Sequence, residues 1–265
     1  MSTSDVNTPD LWLQIKELAR RSIVRTMRQP AQIVPATLFP LILLAINSSG
    51  LDSATELPGF PTDSYVTFAL AFAFLQGGVF AVIGTGQNLA EDNVSGFFNR
   101  LQLTPVRGVA LVVGQLAGTL ALGLFQAAIF ISVGLAAGGS IEAGIPGALV
   151  LIALATLITL AFGSIGLIAG MRASTPENVQ GLFPVIFVFL FMSSMALPRD
   201  LIQTDWFRTI ATYNPVSYMI EGIRSLLITG WDAEALALAF GCAAAILVAA
   251  LSVASLSLKE RMART

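Results

Sequence analysis

The chain holds 265 residues, 55% of them apolar and only 11% charged, with 14 Lys+Arg against 16 Asp+Glu for a formal charge of −2. Soluble domains carry roughly 25% charged residues, so this composition, with a mean hydropathy of +0.79, excludes an ordinary water-soluble fold and marks a membrane protein. The absence of histidine excludes imidazole catalysis and His-ligated metal sites. A single cysteine, Cys242, excludes an internal disulfide, and the near-neutral balance leaves no basic patch sized for nucleic acid.

Met1–Asp10 is polar, and the segment after it is charged, so neither reads as the apolar core of a cleaved leader. Residues 10–28 are expected to form an interfacial helix. Leu11, Trp12, Ile15, Leu18, Ala19 and Ile23 share one face, and Lys16, Arg20, Arg21, Arg25 and Arg28 occupy the other. Uncharged runs then follow at Gln29–Leu51, Ser64–Ala90, Gly108–Ile141, Ala143–Met171, Asn178–Pro198 and Ala235–Leu258. Each reaches the roughly 20 residues that cross a bilayer core. They predict six spanning helices at about 30–50, 64–86, 108–138, 146–170, 179–197 and 235–258, in a single transmembrane domain over residues 1–265. With both termini cytoplasmic, 11 of the 14 basic residues fall inside and only Arg199, Arg208 and Arg224 outside, as the positive-inside rule requires.

Within the spans, the glycine cluster Gly77–Gly86 lacks the Lys-Ser/Thr of a phosphate loop and reads as close helix packing. The pairs Gly114/Gly118, Gly134/Gly138 and Gly166/Gly170 read the same way, and Gln76, Gln115 and Gln126 as interhelical hydrogen bonds. No carboxylate or cation lies deep in a span, so the residues offer neither a proton relay nor a catalytic constellation.

Two segments are more elaborate than connectors. In the cytoplasmic loop 87–107, Val94, Phe97, Phe98 and Leu101 follow helical spacing, with Glu91 and Asp92 at the expected helix start, Arg100 near its end and Pro105 stopping it. In the outer segment 199–234, Asn214-Pro215 is a helix start, and Val216, Met219, Ile220, Ile223, Leu226 and Leu227 form an apolar face. Glu221 and Arg224 sit three apart on the opposite face, and Gly230 ends the helix. At about 14 residues it is too short to span and is expected to dip into or lie on the outer leaflet.

The stretch NPVSYMIEGIRSLLITG (Asn214–Gly230) resembles the closing motif of ATP-binding-cassette exporter permeases of the drug (daunorubicin-resistance-like) and polysaccharide branch. The loop EDNVSGFFNRLQLTPVRGVALVVGQ (Glu91–Gln115) resembles that family's first coupling segment, and FMSSMALP (Phe191–Pro198) the end of its fifth span. The resemblance implies an all-α integral membrane permease with an N-terminal interfacial helix, six spans and short re-entrant outer helices. It implies pairing with a second copy or a paralogue into a dimer, in a prokaryotic cytoplasmic membrane, above separate ATPase subunits that bind the ATP and Mg; this chain would hold no cofactor. By the same resemblance Glu91, Gly96, Phe97, Arg100, Leu101 and Pro105 would contact the ATPase, with Arg172 and Glu177 at a second docking loop. Asn214, Pro215, Glu221 and Arg224 would help form the outer gate.

Phe183, Phe187, Phe191, Met192 and Met195 recur at helical spacing and could line a lipophilic path or simply pack the core. The leading expectation is a transporter, not an enzyme: the membrane subunit of an exporter of a lipophilic or amphiphilic drug, antibiotic or lipid. The alternative within the class is export of lipid-linked polysaccharide or teichoic polymer. An intramembrane lipid-modifying enzyme or an uncoupled channel ranks behind both.

Overall fold

The computed structural model describes residues 10–97, 100 and 106–263, with side chains to residue 257. Among them the chain is all helical. The elements are α1 (Leu11–Met27), α2 (Pro30–Gly50), α3 (Tyr65–Val94), α4 (Gly108–Ala136), α5 (Gly144–Arg172), α6 (Pro176–Gln180), α7 (Phe183–Phe191), α8 (Asp205–Tyr213), α9 (Pro215–Arg224) and α10 (Ala233–Ala263), with short 3-10 turns at Asp52–Glu56 and Arg199–Leu201. Five helices, α2, α3, α4, α5 and α10, are long and apolar enough to cross a membrane.

α3 is the axis of the bundle. Ser64 caps it by accepting from the Thr67 N–H at 3.3 Å, and its 30 residues run about 45 Å at 1.5 Å per residue. Most of its side chains are buried, against α2, α4, α5 and α9. The closest approach is to α5. A Cβ on Gly166 would collide with the Val82 carbonyl oxygen, and one on Gly86 would lie 2.9 Å from the Gly166 carbonyl oxygen. Glycine at these positions lets two apolar backbones touch where lipid offers no hydrophobic drive for association. The Gly166/Gly170 and Gly114/Gly118 pairs therefore pack as expected. Gly134 also packs, against Leu70, but Gly138 terminates α4 with φ +87 instead of contacting a helix. Gln126 makes the expected interhelical bond, its Nε2 donating to the Ala36 carbonyl at 3.0 Å.

Three expectations are corrected. The span expected at 179–197 is not one continuous helix: α6 has five residues and α7 nine, and Gly181 and Pro184 fall at the break. α7 alone covers about 14 Å, half of a hydrocarbon core of ~30 Å. The second correction concerns the 87–107 loop. α3 continues to Val94, so Glu91 and Asp92 lie on its last turn, and Gly96 (φ +69) separates Val94 from Phe97. Val94 thus belongs to a different helix from Phe97, and the single apolar stripe does not form; Phe98, Leu101 and Pro105 lie outside the described residues. Third, the interfacial helix turns a polar face inward: Gln14, Ser22 and Thr26 are buried, while Trp12, Leu13, Ile23 and Val24 are exposed.

Candidate functional site

At one end of α3 the short helix α9 is buried on nearly every side. Asn214 caps it as the sequence predicts, its Oδ1 accepting from the Val216 N–H at 3.0 Å. The apolar face Val216, Met219, Ile220, Ile223, Leu226 and Leu227 is fully packed, so this is no surface helix. A π-type turn, Ser225–Thr229, extends it to Gly230 at φ +93, a conformation that favours glycine.

The side chain that defines this end is Arg224. The sequence places it on a polar face beside Glu221; the structure instead buries it to 7% exposure. Its Nη1 donates to the Ser194 carbonyl at 2.6 Å and Nη2 to the Met195 carbonyl at 2.5 Å, with a long contact from Nε to the Phe68 carbonyl at 3.4 Å. The guanidinium also lies 3.5 Å from the centroid of the Phe68 ring. Glu221 turns to Arg199, which also lies over the Tyr218 ring.

Arg224 does not act alone. Asn214 Nδ2 donates to the Phe189 carbonyl at 2.7 Å and the Met192 carbonyl at 2.9 Å, and the Ser194 N–H donates to Ser217 Oγ at 3.0 Å. A helix leaves its last four carbonyls without partners inside the helix, and α7 ends at Phe191. Asn214 serves one of these, Phe189, and with Ser217 and Arg224 holds the turn of residues 192–195 that follows, so α9 caps the C-terminal end of α7. Beside this contact opens a cavity of about 740 Å³, lined by Phe68, Arg199, Asp200, Arg208, Glu221 and Arg224 among others.

The other end of α3 carries an ion cluster. Asp92 is buried to 3% exposure and receives Arg21 through both nitrogens, at 3.0 and 2.7 Å, and Arg25 at 2.7 Å. Arg25 also reaches Glu91. Arg21 lies 3.8 Å from the Phe97 ring centroid, just past the Gly96 turn. α1 is held against α4 by shape as well. A Cβ on Gly114 would lie 2.5 Å from Leu18 Cβ, and one on Gly118 2.5 Å from Thr26 Oγ1 and 2.6 Å from Ser22 Oγ. Gln14 Oε1 accepts from the Arg107 N–H at 3.0 Å.

Between the two ends, α7 presents a row of rings. Phe183 and Phe187 have centroids 4.5 Å apart, and Phe187 and Phe191 5.7 Å. Phe39 of α2, Phe80 and Phe72 of α3 meet this row at 6.3, 5.5 and 6.4 Å.

A family model described as "ABC-2 type transporter" matches residues 13–228. The chain belongs to the ABC-2 type transporter family. It is 26% identical over 236 residues to ycf38 of Porphyra purpurea, described as a putative transport permease, covering 87% of this chain and 79% of that protein. The protein of the same description from Pyropia yezoensis is 26% identical over 218 residues, covering 80% and 73%. The chain is thus a multi-pass membrane transport permease, and its relatives are permeases, not enzymes.

In this ABC-2 permease, the expected site residues divide into groups. Glu91 and Phe97 meet the basic face of α1; Arg100 is exposed, with Nη2 3.4 Å from the Ser95 carbonyl. Arg172 and Glu177 are exposed on the turn from α5 to α6. Hydrogen bonds from its own backbone N–H and the Thr175 side chain hold the Glu177 carboxyl below its usual range. That turn stands beside the end of α3, where Asn93 Nδ2 donates to the Gly170 carbonyl at 3.0 Å. Phe183, Phe187 and Phe191 form one row, with Met195 beside the Arg224 cap. Sequence reasoning missed Arg21, Arg25 and Asp92 as a cluster, and Ser217 as a partner of α7.

Proposed function

We propose that this permease is the membrane half of an ATP-driven exporter of a lipophilic or amphiphilic compound, working with separate ATPase subunits and a second permease. The observation that carries the reading is the Asp92 cluster. It locks α1 to the last turn of the buried axis helix, directly before the segment assigned to ATPase contact. Force applied at Phe97–Pro105 would enter a braced helix end instead of a slack loop. In this reading the α1 end is cytoplasmic, and α6–α7 complete a sixth crossing as a broken element. α9 then sits in the outer leaflet as a re-entrant gate, and the phenylalanine row of α7 offers cargo an apolar, polarizable wall.

The test is co-purification with an ATP-binding-cassette ATPase and measurement of hydrolysis in lipid. The permease should raise the ATPase rate, and Phe97→Asp with Leu101→Asp should abolish the rise. Hydrolysis no faster with the permease than without it overturns the coupling, and an unaffected double variant overturns the assigned contact.

A further inference from the structure

α1 and its C-cap residue Arg28 carry five cations, and the structure splits them into two sets. Arg21 and Arg25 point inward and are committed to Asp92 and Glu91. Lys16, Arg20 and Arg28 are exposed, and none has a carboxylate partner among the described residues. These three do not stand on a simple polar face. Trp12 at 71% exposure, Leu13 at 51% and Val24 at 41% alternate with them around the same half of the helix, with Glu17 its one carboxylate. A face bound for water would not expose this much apolar surface, and one bound for hydrocarbon would not carry three unpaired cations. Only the headgroup layer satisfies both. There, apolar side chains reach the acyl boundary and long cationic stems lift their charges to the phosphates.

We propose that the exposed face of α1 is a binding site for anionic phospholipid headgroups of the cytoplasmic leaflet, with Lys16, Arg20 and Arg28 as the phosphate ligands. The site includes an open hollow of about 560 Å³ lined by Arg20, Arg21, Val24, Arg25 and Arg28, with Glu17 its one carboxylate. Lipid phosphate would therefore sit next to the arginines that hold Asp92. The sided placement rests on the orientation in the proposed function; the lipid preference itself does not.

The test uses the full chain in nanodiscs of phosphatidylcholine alone or mixed with phosphatidylglycerol, with retained lipid counted by native mass spectrometry after mild detergent extraction. The wild type should retain phosphatidylglycerol selectively. Each unpaired cation near a charged surface strengthens binding about fivefold. Lys16→Gln, Arg20→Gln and Arg28→Gln together should therefore lower that selectivity on the order of a hundredfold. The charge-keeping set Lys16→Arg, Arg20→Lys and Arg28→Lys should retain it. Selectivity unchanged in the Gln variant overturns the proposal, as does loss of selectivity in the charge-keeping set. Displacement of the lipid by millimolar inorganic phosphate would also overturn it, by showing a site for free anions. Because the readout needs no ATPase, a failure here is distinguishable from a failure of the coupling experiment.

Discussion

Arg224 offers the sharpest check on how α9 is held. Replacing it with Ala leaves the Ser194 and Met195 carbonyls without their 2.6 and 2.5 Å donors. An orphaned buried acceptor costs about 1–3 kcal/mol, so the two together cost roughly 2–6 kcal/mol. The lost contact with the Phe68 ring, 3.5 Å away, adds on the order of 1–2 kcal/mol. Opposing this, the variant no longer buries a guanidinium, a relief of several kcal/mol. The net expectation is a loss of about 2–4 kcal/mol for Arg224→Ala. Arg224→Lys should lose about half as much, because one ammonium can serve one carbonyl but lacks the fork that spans two. Unfolding in mixed micelles titrated with SDS measures the loss. Trp206 and Trp231, both exposed and flanking α9, report on this end by fluorescence. Hydrogen exchange adds a local readout, since the Ser194 amide bonded to Ser217 should lose protection in the Ala variant. If Ala falls within about 0.5 kcal/mol of the wild type and Ser194 stays protected, α9 is not the cap of α7.

Asp92→Asn should loosen α1 by about 2–3 kcal/mol, discounted because Arg21 is 37% and Arg25 20% exposed; faster trypsin cleavage at Arg21 and Arg25 checks it, and an unchanged cleavage rate would contradict the brace. Gly118→Val drives a side chain into Ser22 and Thr26 and should cost at least about 1–3 kcal/mol, with the same protease pattern. At Gly50 an added Cβ meets nothing within 4 Å, so Gly50→Ala should leave both stability and cleavage as they are.

The long helices were legible because uncharged length is a direct physical demand of the bilayer. The ends of α2, α4, α5 and α10 fall close to the expected spans. That demand also misled at α6–α7. The run Asn178–Pro198 has the right length, but it is interrupted around Gly181 and Pro184 and α7 stops at Phe191, where Asn214 and Arg224 serve the carbonyls of Phe189, Met192 and Ser194. Arg224 was misread for a related reason. A helical wheel assumes that the polar side faces solvent, whereas α9 is enclosed and its polar side faces the orphan carbonyls of another helix. A usable signal was present: a non-helical stretch ending an apolar run requires buried polar partners, and Asn214, Ser217 and Arg224 lie nearby in sequence. The Asp92 cluster had no such signal. Its partners lie 67 and 71 residues away, and nothing in one sequence pairs Arg21 and Arg25 with Asp92 while leaving Arg20 and Arg28 free.

The two ends belong to one mechanical element. Phe68, which meets Arg224, and Asp92, which holds α1, are 24 residues apart on α3, about 36 Å at helical rise. An isolated helix of that length with glycines at 77, 78, 84 and 86 would bend under load. Here those glycines have the opposite effect. Gly86 meets the Gly166 backbone and Val179, while Gly77 and Gly78 admit Gln126, Phe130 and Phe162, so each removed side chain is replaced by a neighbour at contact distance. Close packing of this kind passes displacement on instead of absorbing it. Motion delivered at Asp92 would consequently arrive at Phe68, where it must either carry Arg224 along or break its contacts with the end of α7. The latter would free the Ser194 and Met195 carbonyls together, so a coupled movement of α3, α7 and α9 costs less than α3 moving alone.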